Sequence, residues 1–249
     1  MVVSLGDIVP FCDDFLNISS IEDYPLAYNG LQFENSGNIN KIGAAVDFNM
    51  QSLKSAISNG VDLLFVHHGM FWGKTLPIKD IIYKKYKMLI ESDLAVYSAH
   101  LPIDVHSEIG NNVSILKLLG LERIGSVSNS HFDLPIASAN CSRSKLRDEI
   151  FRNFPRTIAI EYGPNEIEKV AVCSGGGGSE MVNMIKSGAE TAIIGEVQRH
   201  HFDIAYDNKM NLYVCGHYDT EVFGIRNLSE VVATKFDLEN VWIKEDCIL

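Results

Sequence analysis

The sequence predicts an α/β fold of two related lobes, which arise from an internal duplication and pack around one shared cleft. Strand-like apolar runs alternate with helical stretches, as in α/β proteins. One motif occurs twice: Ala95–Asp104 and Leu212–Glu221 each end an apolar run in a histidine, with a carboxylate four residues later. Their offset is 117 residues. The segment 41–47 also resembles 169–175, at an offset of 128 residues.

Composition limits the classes of protein to consider. The 249 residues are 46% hydrophobic and carry a formal net charge of −11, which fits a folded protein and opposes non-specific attraction to nucleic acid. No apolar run reaches the roughly 18 residues of a membrane span, and the N-terminus lacks signal-peptide features. The five cysteines are scattered, which favours reduced thiols. We therefore expect a cytoplasmic protein that does not bind membranes.

The first lobe is predicted at residues 1–110, including an N-terminal helix at 5–17. A turn-like segment at 29–33 leads into the repeat. The run Val61–Val66 is almost continuously apolar, as in a parallel strand buried on both faces. The predicted elements of the repeat follow in chain order: a strand at 42–46, a helix at 50–58 closed by Gly60, a strand at 61–66, a helix at 80–92 and a strand at 94–99.

The second lobe is predicted at 169–249, and residues 111–168 are predicted as a connecting segment within one compact unit. That segment contains expected helices at 112–119 and 144–153. The predicted elements of the second lobe follow in chain order: a strand at 170–173, a helix at 179–186, a strand at 191–194, a helix at 197–207, a strand at 212–215, a helix at 225–236 and an edge strand at 241–244.

Five residues near predicted strand ends form a candidate set of metal ligands. Ligands gather at the carboxyl ends of parallel strands, and imidazole with carboxylate is metal-ligand chemistry. For an adjacent histidine pair alone, hydrogen bonds to backbone would be the favoured alternative, and for Asp104 the alternative is a helix N-cap. Their occurrence in two equivalent places favours the ligand interpretation. The set is His67, His68, Asp104, His217 and Glu221.

Two further residues are candidates for catalysis. His100 occupies the position in the first motif that His217 occupies in the second, so it is a candidate ligand, ligand-orienting group or proton carrier. Glu196 follows the strand that corresponds to the one before His67 and His68. Its carboxylate is a candidate for orienting a ligand or acting as a base, and a solvated surface glutamate is the alternative.

Two other segments leave their roles open. His200 and His201 are predicted on a helix after Glu196, where one would face the cleft or both would lie on the surface. The loop Gly175–Gly178 follows a strand and precedes a helix, so its backbone N–H groups are candidates for anion binding. It matches neither nucleotide-binding glycine motif, and a tight turn that brings backbone close to the cleft is the alternative.

Taken together and in order, the motifs resemble those of the Ngg-interacting-factor-three-like family, also called GTP cyclohydrolase I type 2 homologues. The resemblance covers nearly the whole chain. It rests on Asn29-Gly-Leu-Gln-Phe33, Val66-His-His-Gly69, Ser98-Ala-His-Leu-Pro-Ile-Asp104 with Gly110-Asn111, Cys173-Ser-Gly-Gly-Gly-Gly-Ser179, Gly195-Glu-Val-Gln-Arg-His-His201 and Gly216-His-Tyr-Asp-Thr-Glu221.

The resemblance implies two α/β lobes around a dinuclear metal centre in a ring-like homohexamer, with the same five ligands as above. Two zinc, iron or manganese ions per chain would fit that donor set. The implied function is hydrolysis of a nucleotide or related phosphate compound by a metal-bridging hydroxide, assisted by His100 or Glu196. The alternative is a non-enzymatic metal-binding ring that binds a protein or nucleic acid.

Overall fold

The structure is a computed structural model that describes residues 2–25, 27–72, 76–130 and 132–247. These residues form two compact units. The first unit contains the described residues up to His106 together with 224–246. The second contains the described part of 107–223 and Cys247. No helix among the described residues is long and apolar enough to cross a bilayer.

The helices and strands alternate along most of the chain. The first half contains β1 (Val3–Ser4), α1 (Leu5–Phe15), β2 (Gly30–Phe33), β3 (Asn38–Ile39), β4 (Lys41–Asp47), α2 (Met50–Ser58), β5 (Leu63–His68), α3 (Asp80–Ser92), β6 (Ala95–Ser98), α4 (Leu101–Asp104) and α5 (Asn111–Leu118). The second half contains β7 (Glu122–Ser126), β8 (Pro135–Ser142), α6 (Arg143–Asn153), β9 (Ile158–Glu161), β10 (Glu166–Cys173), α7 (Met181–Lys186), β11 (Thr191–Ile194), α8 (Arg199–Asp207), β12 (Asn211–Val214), α9 (His217–Phe236) and β13 (Glu239–Trp242).

The first unit is built on a sheet of order β13-β4-β5-β6-β2. Strands β13, β4, β5 and β6 run parallel, and β2 pairs antiparallel with β6. The apolar residues 63–66 of β5 are fully buried, which agrees with a central strand covered on both faces. Parallel strands joined by helices end at one edge of their sheet, so the residues after β4, β5 and β6 are neighbours there.

The second unit is built on a sheet of order β7-β8-β10-β11-β12-β9. Strands β10, β11 and β12 are parallel, whereas β7, β8 and β9 are antiparallel to their neighbours. Successive residues of β10 belong to different cores: Val170 and Val172 pack in one cluster, and Ala171 and Cys173 in another. Because side chains alternate across a strand, the central strands are apolar on both faces.

The predicted α/β class and duplication are confirmed in the topology. Each unit contains a β-α-β-α-β core, β4-α2-β5-α3-β6 in the first and β10-α7-β11-α8-β12 in the second. An antiparallel strand follows on the same side of both cores, β2 beside β6 and β9 beside β12. Gly30 and Ile158, which begin these strands, are also 128 residues apart, so the repeat includes one strand more than the sequence motifs indicated.

The division into units differs from the predicted domain bounds. Residues 111–168, predicted as a connecting segment, supply β7, β8 and β9 to the sheet of the second unit. Residues 224–246 belong to the first unit, where β13 forms the sheet edge beside β4. The antiparallel strands lack the apolar runs of the buried parallel strands. The residue pattern indicated only one short strand within 136–168, so this segment was predicted as a connection and not as part of a sheet.

Candidate metal centre

The two adjacent histidines of the first unit end strand β5. His67 is fully buried, and its Nδ1 lies 2.9 Å from the carbonyl oxygen of Ala99. Because a carbonyl only accepts, Nδ1 carries the proton and Nε2 carries the lone pair. The Nδ1 of His68 lies 2.7 Å from Oδ1 of Asp47, the last residue of β4. This contact favours the same tautomer for His68.

His100 directly follows the buried segment of β6 and is itself buried. Its Nδ1 lies 2.9 Å from Oδ1 of Asp23, and its backbone N–H donates to Oδ1 of Asn29 at 2.7 Å. Burial acts to raise the pKa of Asp23, but the hydrogen bond and the electrostatic effect of His100, with hydrogen bonds from Asn29 and the backbone of Tyr24, overcome it, so this pKa lies below its usual range. Asp23 therefore stays ionised and orients His100.

The three imidazoles converge in the first unit. His67, His68 and His100 each offer one nitrogen, and these atoms lie within 4.8 Å of one another. Asp104 is buried at the end of α4, with Oδ2 3.6 Å from Nε2 of His67. The helix that contains Asp104 has His100 as its N-cap residue, so the alternative of Asp104 as a helix N-cap does not apply. The three histidines form a group that could hold a metal ion, and Asp104 lies beside one of them, His67.

The second unit brings its two predicted ligands together on one helical turn. Helix α9 begins at His217, eight residues earlier than predicted, directly after Gly216 with a φ of +98°. The early start places the His217 Nε2 3.1 Å from Oε1 of the buried Glu221. The hydrogen bond to Glu221 raises the pKa of His217 to about 9, against the opposing effect of burial. Both atoms are donors for a divalent ion once the proton leaves.

Glu196 lies against the other nitrogen of the same imidazole. Its Oε2 is 2.7 Å from Nδ1 of His217, the contact that a ligand-orienting carboxylate requires. Its neighbour Gly195 occupies a position where a Cβ would lie 2.6 Å from the backbone nitrogen of Gly175. Glycine is therefore needed where the glycine loop crosses the end of β11, and the carboxylate follows at the next residue.

The glycine loop gives the His217–Glu221 pair its space. Gly175 has a φ of +58°, and a Cβ there would overlap Oε1 of Glu221 and lie 3.1 Å from Nε2 of His217. Its N–H donates to Oγ1 of Thr220 at 3.0 Å. These contacts agree with the tight-turn alternative, in which backbone approaches the site because side chains are absent.

His200 and His201 lie in the second unit on the first turn of α8. The Nδ1 of His201 accepts from the backbone N–H of Gln198 at 2.8 Å, which caps the helix. Burial and the neighbouring His200 keep the pKa of His201 below its usual value. Both histidines line a cavity of about 310 Å³ together with Gly176, Gly178, Ser179 and Glu196.

Sequence patterns missed the residues that orient the histidines. Asp47 was within reach of the pattern, since it directly follows the predicted strand at 42–46, as His67 follows the predicted strand at 61–66. Asn29, which accepts from the backbone N–H of His100, belongs to the segment 29–33, which was predicted only as a turn. The carbonyl of Ala99 carries no sequence signal, because any residue supplies one.

The donors are chemically suited to a borderline divalent ion. Imidazole nitrogens and carboxylate oxygens together suit zinc, iron or manganese, and carboxylate-held histidines are usual around such ions. Each unit therefore contains a His-carboxylate group with the composition of a metal site.

The whole chain also matches known proteins. The model of the Duf34/NIF3 (NGG1p interacting factor 3) family matches residues 3–246, and the chain belongs to this family. It is 34% identical over 244 residues to a protein of Archaeoglobus fulgidus named GTP cyclohydrolase 1 type 2 homolog, with 97% of this chain and 98% of the relative covered. The predicted family is thereby confirmed.

Solved structures agree with the fold. One, described as protein ybgI of unknown function, has a TM-score of 0.92 and 30% identity, and the match covers 98% of this chain and 99% of the other. Another, described as reduced HcgD from Methanocaldococcus jannaschii, has a TM-score of 0.87 and 25% identity, and covers 98% and 99%.

Proposed function

We propose that this protein is a metal-dependent hydrolase that acts on a nucleotide or a related phosphate compound. The protein would hold two divalent ions through imidazole nitrogens and carboxylate oxygens. The proposed ligands are His67, His68, Asp104, His217 and Glu221.

The observation that carries this proposal is the way the first unit holds its imidazoles. His67, His68 and His100 each have Nδ1 against an oxygen acceptor, at 2.9, 2.7 and 2.9 Å. Three separate acceptors thus favour the tautomer with a lone pair on Nε2. Histidines that only fill a core or cap a strand need no such common arrangement, whereas metal ligands usually have it.

The chain's own residues would divide the remaining work. When bound, divalent ions supply Lewis-acid chemistry and lower the pKa of water. His100 has the position and the Asp23 partner of a group that accepts and returns a proton through Nε2. Glu196 is a positioning residue, because its carboxylate contacts Nδ1 of His217 and would fix the orientation of that imidazole.

The substrate class rests on two supports. Relatives of this chain are named GTP cyclohydrolase 1 type 2 homolog, which suggests a nucleotide. In the second unit, Ser179 and the imidazoles of His200 and His201 line the cavity of about 310 Å³ beside Glu196. Hydroxyl and imidazole N–H groups are donors that a phosphate uses. We assign the phosphate end of the substrate to this cavity.

Metal content and turnover test the proposal together. The chain is purified without added metal, reconstituted with iron, zinc or manganese, and supplied with nucleotides while phosphate release and ring opening are followed. We expect about two ions per chain and turnover. His67→Ala and His217→Ala should each lose at least one ion and fall about 100-fold or more in turnover, as expected when a metal centre loses a ligand.

His106→Ala is the matched control. This imidazole packs on Phe15 and its Nε2 lies 3.1 Å from the Phe15 carbonyl, so its loss should leave metal and turnover unchanged. Unchanged turnover in His217→Ala, with the fold retained, would exclude the metal role. The hexameric ring remains a prediction, for which light scattering of the purified protein should give six chains.

A further inference from the structure

An exposed aromatic group surrounds the imidazoles of the first unit. Trp72 and Tyr24 are 50% and 48% exposed. The ring of Trp72 is 4.6 Å from that of His100 and 5.8 Å from that of His68, measured between centroids. The ring of Tyr24 is 5.9 Å from His100. Large aromatic side chains left in water beside a group of candidate ligands indicate a binding surface.

The two rings form the walls of a cavity. Trp72 and Tyr24 are 6.5 Å apart at an interplanar angle of 62°, and they line a space of about 450 Å³ with Pro25 and Ala27. These four lining residues carry no charge. The polar atoms of their side chains are the Tyr24 hydroxyl and the Trp72 indole N–H, both at ring edges. Such a cavity favours the face of a flat ring over a charged group.

The buried side chain of Gln32 connects the two stretches of chain that carry Tyr24 and Trp72. Gln32 donates from Nε2 to the Tyr28 carbonyl at 2.6 Å, and its Oε1 accepts from the backbone N–H of Met70. It therefore joins the segment 24–28 to the segment 69–72. A Cβ at Gly69 would overlap the amide of Gln32, so a larger residue there would displace this side chain from its two hydrogen bonds. A second exposed pair, Tyr28 and Phe71, meets across the same two segments at 6.4 Å.

The wall and His100 are positioned by consecutive residues. Asp23 accepts from Nδ1 of His100 through Oδ1, and the next residue is Tyr24. Asp23 Oδ1 also accepts from the backbone N–H of Tyr24 at 2.6 Å. One carboxylate oxygen thus contacts both the Tyr24 backbone and the His100 ring, and a ring bound against Tyr24 and Trp72 would lie beside His100.

We propose that this cavity binds the planar heteroaromatic ring of the substrate, a nucleobase, by stacking on Trp72 and Tyr24. The inference rests on the proposed function and names the part of the substrate that this cavity would bind. The lining offers the faces of aromatic rings for stacking and few groups that could hydrogen-bond to the edge of a base, so the cavity should accept different bases. Purines have the larger ring system and should bind more tightly than pyrimidines.

Binding of inosine, a purine nucleoside without phosphate, tests the inference in the full-length chain after metal removal. Trp72 and Trp242 are the two tryptophans, so a Trp242→Phe variant reports on Trp72 alone. Inosine should quench its fluorescence, whereas ribose should not. By calorimetry, Trp72→Ala and Tyr24→Ala should each bind inosine about 5- to 150-fold more weakly, the range for removal of one base-stacking ring.

Tyr83→Ala is the matched control, because Tyr83 is a 55% exposed aromatic residue of the same unit on α3. It should bind inosine like the parent chain. Equal affinity of the parent and Trp72→Ala, or equal responses to inosine and ribose, would overturn the inference. Inosine bound through Trp72 without turnover of any nucleotide would exclude the hydrolase while the ring site stands, so the two proposals fail separately.

A free nucleotide and a single-stranded oligonucleotide present the same bases. The net charge of −11 favours the free nucleotide. A short oligonucleotide should therefore bind no more tightly than inosine per base. Binding much tighter than this, with a steep loss on added salt, would overturn the assignment to a free nucleotide.

Discussion

The two units share a backbone plan but divide the chemistry unequally. The first unit gathers three imidazoles, each with a carboxylate near it: Asp104 near His67, Asp47 on His68 and Asp23 on His100. The second has one imidazole between two carboxylates, with Glu196 on Nδ1 of His217 and Glu221 on Nε2. A duplicated scaffold thus keeps its strand ends in place while the side chains on them change.

One pair of equivalent positions exchanges roles. His68 and Glu196 are 128 residues apart and both follow the apolar part of the middle strand. In the first unit the position supplies an imidazole, which Asp47 orients. In the second it supplies the carboxylate, which orients His217. What both units preserve is the histidine–carboxylate contact, and this suggests that the contact matters more than the strand that provides each partner.

The amides at the end of the first repeat strand differ in the same way. In the first unit, the N–H groups of Val46 and Asp47 both donate to Oε2 of Glu245 at 3.0 Å. At the equivalent positions of the second unit, Ser174 donates to Oδ1 of Asn112 at 2.8 Å and Gly175 to the Thr220 hydroxyl. In the first unit a carboxylate accepts the hydrogen bonds from these two amides, whereas in the second unit neutral side chains accept them.

The largest effect is expected from Gly175→Ala, which fills the space that only the second unit leaves open. The new Cβ would overlap Glu221 and crowd His217, so these ligands must move. We expect most of the metal held through the second unit to be lost, as measured by elemental mass spectrometry.

Gly120→Ala separates this crowding from backbone strain. Gly120 has a φ of +64°, close to that of Gly175, but a Cβ there would meet nothing within 4 Å. Both variants should lose about 1–2 kcal/mol of stability from the left-handed backbone, and only Gly175→Ala should lose metal. Equal metal content in the two variants would contradict the role given to the glycine loop.

A smaller effect is expected from neutralising the orienting carboxylates, Asp47→Asn in the first unit and Glu196→Gln in the second. Loss of such a partner weakens metal affinity about 10- to 100-fold. The side chain of Glu196 is 59% exposed and that of Asp47 is 38% exposed, so solvent screens Glu196 more. The loss of metal affinity should therefore be closer to about 100-fold for Asp47→Asn and closer to about 10-fold for Glu196→Gln.

Metal titration of the purified variants measures both affinities. Glu91→Gln is the control, since Glu91 forms an exposed ion pair with Lys87 on α3 and is not one of the proposed ligands. A larger loss for Glu196→Gln than for Asp47→Asn would reverse the ranking of the two units.

The sequence predicted the parallel cores well because their signal is local. An apolar run such as Val61–Val66 must be a buried strand in any α/β arrangement, and its end is a site for ligands whatever surrounds it. The four-residue spacing of His217 and Glu221 would put both on one face of a helical turn, although the helix was predicted to begin only at residue 225. Strand β9 and the orienting contacts of Asp23 and Gln32 depend instead on pairing between distant segments, which residue pattern does not encode.

The same reasoning explains the early start of α9. Its N-terminus carries the candidate ligands, and polar residues at 217–221 weaken the apolar periodicity on which a helix prediction depends. Gly216 marks the true boundary through its positive φ. A glycine directly after a buried strand is a signal that could have been used, since it permits the sharp turn into a helix.

The smallest effect concerns Glu245, the carboxylate that distinguishes the first unit from the second. Burial raises its pKa to about 7, assisted by the charge of Asp47 and opposed by hydrogen bonds from Val46, Asp47 and Asn49. The folded chain therefore holds this proton at pH values where the unfolded chain has lost it. Stability from Glu245 should be full below about pH 4.5 and decline as the pH rises through about 7.

Glu245→Gln removes this titration and keeps an oxygen acceptor for the two backbone amides. Thermal unfolding at about pH 5 and about pH 8 should show the parent losing stability relative to the variant as the pH rises. Asn112→Asp sharpens the comparison, because it places a carboxylate under Ser174 in the second unit, where Asn112 is 3% exposed. If burial of a carboxylate at this strand end is the cause, the variant should acquire the same sign of pH dependence. If the parent and Glu245→Gln had identical pH profiles of unfolding, the pH dependence of stability would come from other groups.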